Sequence, residues 1–308
     1  MSRLLHASWL GFRSRAFAAA LAFSIVGAAS AQATAQADAQ APAFTVVAAG
    51  DIADCGSDGT MLLNAARTAR LILPTDVAVL TLGDHAYPVG APGEFENCFQ
   101  PTWGQVRERL RPSPGNHDYL TTDAAGYFGY FGAAAGPARR GYYSFDIGGW
   151  HFISLNSNVD AGPGSPQYAW LQADLAATAN TLCTIAYWHH PVFTSGPHGD
   201  DSQMAGIWVL LHAAGVELVL AGHDHIYERF APQDAYGNVD PERGVRAFTA
   251  GTGGARLYSI RTPKPNSEFR DGSHHGVLRL TLMPTTYRWA FVADDGSVRD
   301  QGADRCHR

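Results

Sequence analysis

Lysine is almost missing from this 308-residue chain: Lys264 is the only one, set between Pro263 and Pro265. Schiff-base and P-loop chemistry are thereby excluded unless this one Pro-flanked residue carries them, and no glycine-rich phosphate loop precedes it. Basic residues are scarce altogether, 22 Lys+Arg against 28 Asp+Glu, for a net charge of −6. A duplex binder needs a basic face to release counterions, and this balance argues against nucleic acid as a partner. Cysteine is limited to Cys55, Cys98, Cys183 and Cys306, with no C-x-x-C spacing, which disfavours a structural zinc site. No apolar run reaches the roughly 20 residues that span a bilayer. Charged residues are few at 16%, but a 46% hydrophobic share with full use of aromatics describes a globular chain, not a disordered one.

The first residues read as a leader. Arg3, Arg13 and Arg15 supply positive charge, residues 16–29 are apolar, and Ala29-Ser30-Ala31 is a small-x-small cleavage pattern. This predicts a signal peptide over 1–31, with an uncleaved anchor as the alternative and no cysteine placed for a lipid anchor. Residues 32–43 (QATAQADAQAPA) read as an Ala/Gln-rich linker, and 44–308 as one α/β domain. The mature chain is then secreted or periplasmic, free of the membrane, and its four cysteines suggest two disulfides among three possible pairings.

Along the domain, apolar β-rich runs alternate with helix-period runs. Strands are expected at 44–49, 76–82, 150–156, 182–188 and 216–221. Helices are expected over 60–73, with Leu62, Leu63, Ala66, Ala69 and Ile72 on one face, from Pro166 to about 179 after a Ser165 cap, and over 202–214. Later strands at 245–250, 276–282 and 286–293 are separated by turn residues. Continuous apolar strands imply a sheet covered on both faces.

Polar clusters stand directly after strands: GD at Gly50-Asp51, GDHAY from Gly83 to Tyr87, GNHD from Gly115 to Asp118, HH at His189-His190, and GHDH from Gly222 to His225. Ligands bind beyond the carboxyl ends of strands in open α/β sheets, so the five clusters are expected to converge. They offer carboxylate, phenol, amide oxygen and imidazole but no thiolate, a set suited to iron, zinc or manganese. There are more donors than one ion uses, and two ions would share a bridging carboxylate. Glycine before a ligand lets the backbone approach closely. His151 and His212 are expected to be ordinary core histidines, His274 and His275 solvated turn residues, and His85 an unassigned rim residue.

This ordered set, GD…GDxxY…GNH[DE]…xxxH…GHxH, resembles the calcineurin-like metallophosphoesterases. GDHAY, and His225-Ile226-Tyr227-Glu228-Arg229, resemble their purple acid phosphatase branch, in its short bacterial type without the N-terminal β-domain of large plant-type members. The resemblance implies a four-layer α/β/β/α metallophosphoesterase sandwich. It also implies that Asp51, Tyr87 and His225 hold one metal and that Asn116, His189 and His223 hold the other, with Asp84 bridging. His190 is the alternative to His189. Ala53 stands where the wider superfamily has a histidine, in keeping with the tyrosine branch, and a phenolate implies Fe(III) paired with a divalent Fe, Zn or Mn. A metal-bound hydroxide would then attack a phosphate monoester, with His117 and His198 binding phosphate and protonating the leaving group, and with Asp118 and Asp224 orienting ligands. His198 lies in the Gly/Pro loop SGPHGD, where a mobile surface histidine is the alternative. The competing readings are a phosphodiesterase or nucleotidase on the same core, decided by a rim at 119–132, 195–201 and 251–256, and a non-catalytic metal-binding module. Cys55 and Cys98 lie in loops shortly after motif-bearing strands, which favours Cys55–Cys98 at one rim and Cys183–Cys306 stapling the tail to a core strand. The partner expected is a small phosphate ester; nothing in the sequence fixes the oligomeric state.

Overall fold

The computed structural model describes residues 43–56, 60–181 and 183–307. The expected signal peptide over 1–31, and the linker over 32–43 save its last residue, lie outside the described residues. Strands in chain order are β1 (Phe44–Ala49), the short β2 (Ala53–Asp54), β3 (Ala78–Leu82), the short β4 (Ala86–Tyr87), β5 (Leu110–Ser113), β6 (Tyr143–Ile147), β7 (Trp150–Ser154) and β8 (Cys183–Tyr187). They continue with β9 (Leu218–Ala221), β10 (Tyr227–Phe230), β11 (Arg246–Ala250), β12 (Ser267–Asp271), β13 (Gly276–Leu282), β14 (Thr286–Ala293) and β15 (Val298–Arg305). The main helices are α1 (Thr60–Ala69), α2 (Ala125–Phe131), α3 (Pro166–Ala177) and α4 (Ala205–Ala214).

Among the described residues the strands form two large sheets, ordered β15-β14-β13-β1-β3-β5 and β12-β10-β11-β9-β8-β7-β6. The parallel pairs β1·β3 and β3·β5 lie in the first, and β7·β8, β8·β9 and β9·β11 in the second. Period-2 alternation decides the layering. Val46 and Ala48 of β1 meet Phe152, Ile185, Tyr187 and Leu220 of the other sheet, forming the inner core. Val47 and Ala49 face the opposite way, onto Ala65 and Ile72 of the α1 segment and the aromatic residues around α2. Ala186 and Val219 likewise face Leu171 of α3 and Trp208 and Leu211 of α4. The result is α/β/β/α in four layers. Each large side chain buried in it contributes roughly 1.5–3 kcal/mol.

Several expectations shift on contact with this architecture. The helix expected over 60–73 ends at Ala69; among its described side chains Ala65 and Thr68 are buried and Leu63 is 58% exposed, and Ile72 is buried just beyond its end. The polar Thr68 takes a core position because it donates to the Gly253 carbonyl and accepts from Trp103 Nε1. Ser165 caps α3 by accepting the Tyr168 N–H, as the sequence suggests. β6, β10, β12 and β15 carried too little apolar patterning to be read. β15 (VRDQGADR) is an edge strand held by its pairing with β14.

Cross-links tie two loops together and the C-terminal tail to these layers. Disulfides join Cys55 to Cys98 and Cys183 to Cys306, the second fixing the tail to β8. Asp300 of β15 accepts from Tyr227 and Arg229 of β10 and from Trp289 of β14, which joins the two sheets at one edge. Among the described residues no helix is long and apolar enough to cross a membrane.

Candidate metal centre

The carboxyl ends of β1, β3 and β5 in one sheet, and of β8 and β9 in the other, open onto the same place. Asp51 follows β1, Asp84 follows β3, Asn116 follows β5, His189 follows β8 and His223 follows β9. The first two loops are zipped together: Asp51 N–H donates to the Gly83 carbonyl, Ile52 N–H to Asp84, and β2 pairs in parallel with β4. This brings Tyr87, on β4, over both carboxylates. Asp51, Asp84 and His223 all have left-handed backbones, with φ of 60°, 51° and 68°. Such conformations cost about 1 kcal/mol or more for residues other than glycine, and they turn these side chains inward. The preceding glycines are required by space. A Cβ at Gly83, whose φ is +87°, would sit 2.4 Å from His189 Nδ1, and one at Gly115 would sit 2.1 Å from Asp84 Oδ1.

All seven residues singled out for metal binding come together. Tyr87 Oη lies 2.9 Å from Asp51 Oδ1 and 3.2 Å from His225 Nε2, and His225 Nε2 lies 3.1 Å from Asp51 Oδ1. On the other side, His189 Nε2 is 3.0 Å from Asn116 Oδ1 and 3.3 Å from His223 Nδ1. Asp84 Oδ2 stands between the two triads, 3.1 Å from Tyr87 Oη and 3.3 Å from His189 Nε2. Backbone carbonyls fix the rings: His189 Nδ1–H donates to Leu82 O and His225 Nδ1–H to Arg256 O. Because a carbonyl only accepts, the proton must sit on Nδ1, and Nε2 faces the centre. His190 is turned instead towards Ser157 Oγ at 2.8 Å, although one of its nitrogens remains within 4.8 Å of donors on His189 and His223.

Electrostatics test whether this donor set fits cations. Burial alone would lower His189, but the charge and hydrogen bond of Asp84 outweigh it and raise His189 to about 9. Asp84 moves the opposite way: burial would raise it, yet His189 and His117 hold it below the usual carboxylate range. Burial and the His189 charge lower His190 to about 3 and His223 to about 2, leaving both rings neutral with lone pairs to offer. Tyr87 is raised well above 10 by burial and by Asp51 and Asp84, so its phenol ionises only beside a cation. One phenolic proton cannot serve Asp51 and Asp84 together, and His225 brings Nε2 to Asp51 Oδ1 and to the phenol itself. Carboxylate, phenol, amide and imidazole donors packed this closely fit a pair of metal ions.

Two further histidines flank the centre. His117 Nδ1–H donates to Pro88 O at 2.6 Å, which leaves Nε2 4.0 Å from Asp84 Oδ2 and half open to solvent. His198 is exposed, but it is held in place: its N–H donates to Asp224, and its ring lies 4.4 Å from that of His223. Asp224 is fixed in turn by Thr194 Oγ1, and buried Glu228 accepts the Ser195 N–H beneath the same loop. Tyr258 went unnoticed in the sequence. Its ring stacks on His225 at 4.1 Å and 7°, a contact across 33 residues that no local pattern announces.

Of the remaining histidines, His151 resolves as expected and the others do not. His151 is a satisfied core residue between Asp146 and Asp174, whereas His212 is only half-buried, beside Asp240. His274 and His275 are half-buried with partners, Asp271 and the Ala255 carbonyl. His85 is no rim residue: it is fully buried. The rim segment 119–132 is mostly packing, since Tyr127, Phe128 and Phe131 are buried. Tyr119 and Phe128, with Asp123 and Arg139, line an open cleft of about 650 Å³.

The fold and this convergence of loops are those of the calcineurin-like phosphoesterase family. The calcineurin-like phosphoesterase family pattern matches residues 27–227, and the chain belongs to that family. Within it, the chain is 33% identical to purple acid phosphatase 21 of Arabidopsis thaliana over 219 residues, 61% of this chain and 50% of that protein. It is 37% identical to purple acid phosphatase 18 of the same plant over 164 residues, 50% of this chain and 37% of that one. With acid phosphatase type 7 of Danio rerio it shares 28% over 298 residues, 80% of this chain and 66% of that one. The chain thus spans a third to a half of the length of the Arabidopsis relatives named here. In structure it resembles the purple acid phosphatase of yellow lupin seeds, with a TM-score of 0.68 at 21% identity over 86% of this chain and 54% of that one. That likeness is one of fold.

Proposed function

We propose that this chain is an exported binuclear metal phosphatase acting on phosphate monoesters. The observation that carries the reading is Asp84 Oδ2, within 3.3 Å of a donor from each of two triads. Asp51, Tyr87 and His225 would hold Fe(III), and Asn116, His189 and His223 a divalent Fe, Zn or Mn, with Asp84 shared. Bound there, the ions supply positive charge for a phosphate dianion and lower the pKa of water.

The chain's own residues do the rest. Leu82 O and Arg256 O hold two imidazoles in one tautomer, so the donor atoms are set before any ion or substrate arrives. His117, anchored to Pro88, and His198, anchored through Asp224, flank the centre where phosphate oxygens and a leaving group would lie. Either ring, once protonated, can donate to the departing alkoxide. The two disulfides suit an oxidising compartment, which supports export to the periplasm or medium.

Metal analysis of protein purified without chelators should give about two ions per chain, at least one of them iron. Asp84→Ala should lose both; full metal content in that variant would sink the assignment. The same preparation assayed on monoesters, diesters and nucleotides should favour monoesters. Preference for diesters or nucleotides would transfer the reading to a phosphodiesterase or nucleotidase on the same core.

A further inference from the structure

His85 is the middle residue of GDHAY and is 0% exposed. Four aromatic rings enclose it: Phe131 at 4.7 Å, Tyr127 at 5.4 Å, Phe99 at 5.5 Å and Phe95 at 6.1 Å between centroids. An apolar cage is a costly place for imidazole unless both nitrogens are satisfied. They are. Nδ1 lies 2.8 Å from Asp118 Oδ2, and Nε2 lies 2.7 Å from Thr81 Oγ1 on β3. The Asp118 carboxylate accepts this bond, so Nδ1 carries the proton.

Asp118, also 0% exposed, does more than receive His85. The same Oδ2 accepts the N–H of Asp84 at 3.1 Å and of Gly115 at 2.9 Å, while Oδ1 accepts the N–H of His85 at 3.2 Å. One carboxylate therefore ties the loop carrying Asp84 to the loop carrying Asn116 and His117. The His117 N–H closes the circuit by donating to Asp84 Oδ1 at 2.8 Å. Asp84 needs such restraint because its backbone sits at φ 51°. Without the His85 Nδ1–H, a buried carboxylate loses one strong donor and turns to find another. The three backbone amides it holds, of Asp84, His85 and Gly115, would move with it.

We infer that His85, acting through Asp118, is a positioning residue that fixes the shared carboxylate of Asp84 and the Asn116 loop for metal capture. This rests on the two-ion reading above and adds to it a residue outside the donor set. Asparagine and glutamine separate the two ring nitrogens. The Asn amide reproduces the Nδ1 donor to Asp118, and the Gln amide reproduces the Nε2 contact with Thr81.

The experiment compares metal-loaded wild type, His85→Asn, His85→Gln and His85→Leu. It measures the rate and extent of iron and divalent-metal loss to a chelator, alongside the melting temperature of each metal-free protein. Affinity in the Gln and Leu variants should fall by about 10- to 100-fold, as for other removed partners of metal ligands. His85→Asn should stay near wild type, even though all three variants lose metal-free stability. Equal metal loss from the Asn and Gln variants would overturn the inference, and so would wild-type retention in the Leu variant. If His85→Leu does not fold, the Asn and Gln pair still decides. A wild-type protein that holds no pair of ions would instead overturn the two-ion reading itself.

Discussion

Tyr87 shows how much a single oxygen can carry. Its ring packs 4.5 Å from that of His117, while its hydroxyl reaches Asp51, Asp84 and His225. Tyr87→Phe removes the oxygen and keeps the ring, so packing should survive and one donor should vanish. If the phenolate binds Fe(III), iron-loaded wild type absorbs in the visible and the Phe variant does not, while part of the hydrolysis persists. An unchanged visible band in the variant would remove Tyr87 from the donor set. Burial and two carboxylates keep this phenol protonated in the metal-free chain, so the colour should also disappear when iron is stripped.

Between elements, His151 offers a clean pH readout because it lies away from the centre. From β7 it reaches Asp146 of β6 at 2.7 Å and Asp174 of α3 at 2.9 Å, joining a hairpin to the helix that covers it. Burial would lower its pKa, but hydrogen bonds to Asp174 and then Asp146 outweigh that and raise it above 6.5. A histidine raised on folding contributes stability that is fully present below about 6.5 and fades as pH rises through the folded value. Asp174 is the stronger partner, since its side chain is 14% exposed against 70% for Asp146. The stability gap between wild type and His151→Gln, measured in urea, should therefore be larger at pH 5.5 than at pH 9, by roughly 1 kcal/mol. A gap that grows with pH would contradict the raised pKa.

For the whole molecule, the centre acts as a clasp between the sheets. Asp51, Asp84 and Asn116 follow strands of one sheet, while His189, His223 and His225 follow strands of the other. Ions held there would bind the folded chain and not the unfolded one, adding about 4 kcal/mol at a thousand-fold excess over Kd. Chelation should accordingly lower the melting temperature. The size of that drop should depend on pH with a definite sign. In the metal-free chain the protonated His189 pairs with Asp84, and that stability is complete below about 6.5 and lost as pH rises through about 9. Metal loading moves the other way, because fewer protons compete for the same nitrogen as pH rises. Thermal melts with and without chelator should diverge between pH 6 and pH 9, and convergence would refute the shared use of His189.

The candidate donors were legible in the chain because glycine and donor residues recur directly after apolar strands, and strand ends are where an α/β sheet leaves side chains free to meet a ligand. That rule and a family resemblance single out Asp51, Asp84, Asn116, His189 and His223 as candidates, and the fold brings all five within reach of one another. Strands such as β1, β13 and β14 were equally plain, since buried strands must be apolar. What stayed hidden depends on partners distant in sequence. His85 looks polar and exposed beside its motif neighbours, and only the packing of Phe95, Phe99, Tyr127 and Phe131 puts it in the core. Tyr258 reaches the site from a loop without pattern, and β15 becomes a strand because β14 offers it a ladder. Local sequence determines which groups can do chemistry, because that is a property of side chains. Tertiary structure decided which loops share Asp118 and which rings stack over the centre, because only the folded sheets bring those residues within a few ångströms.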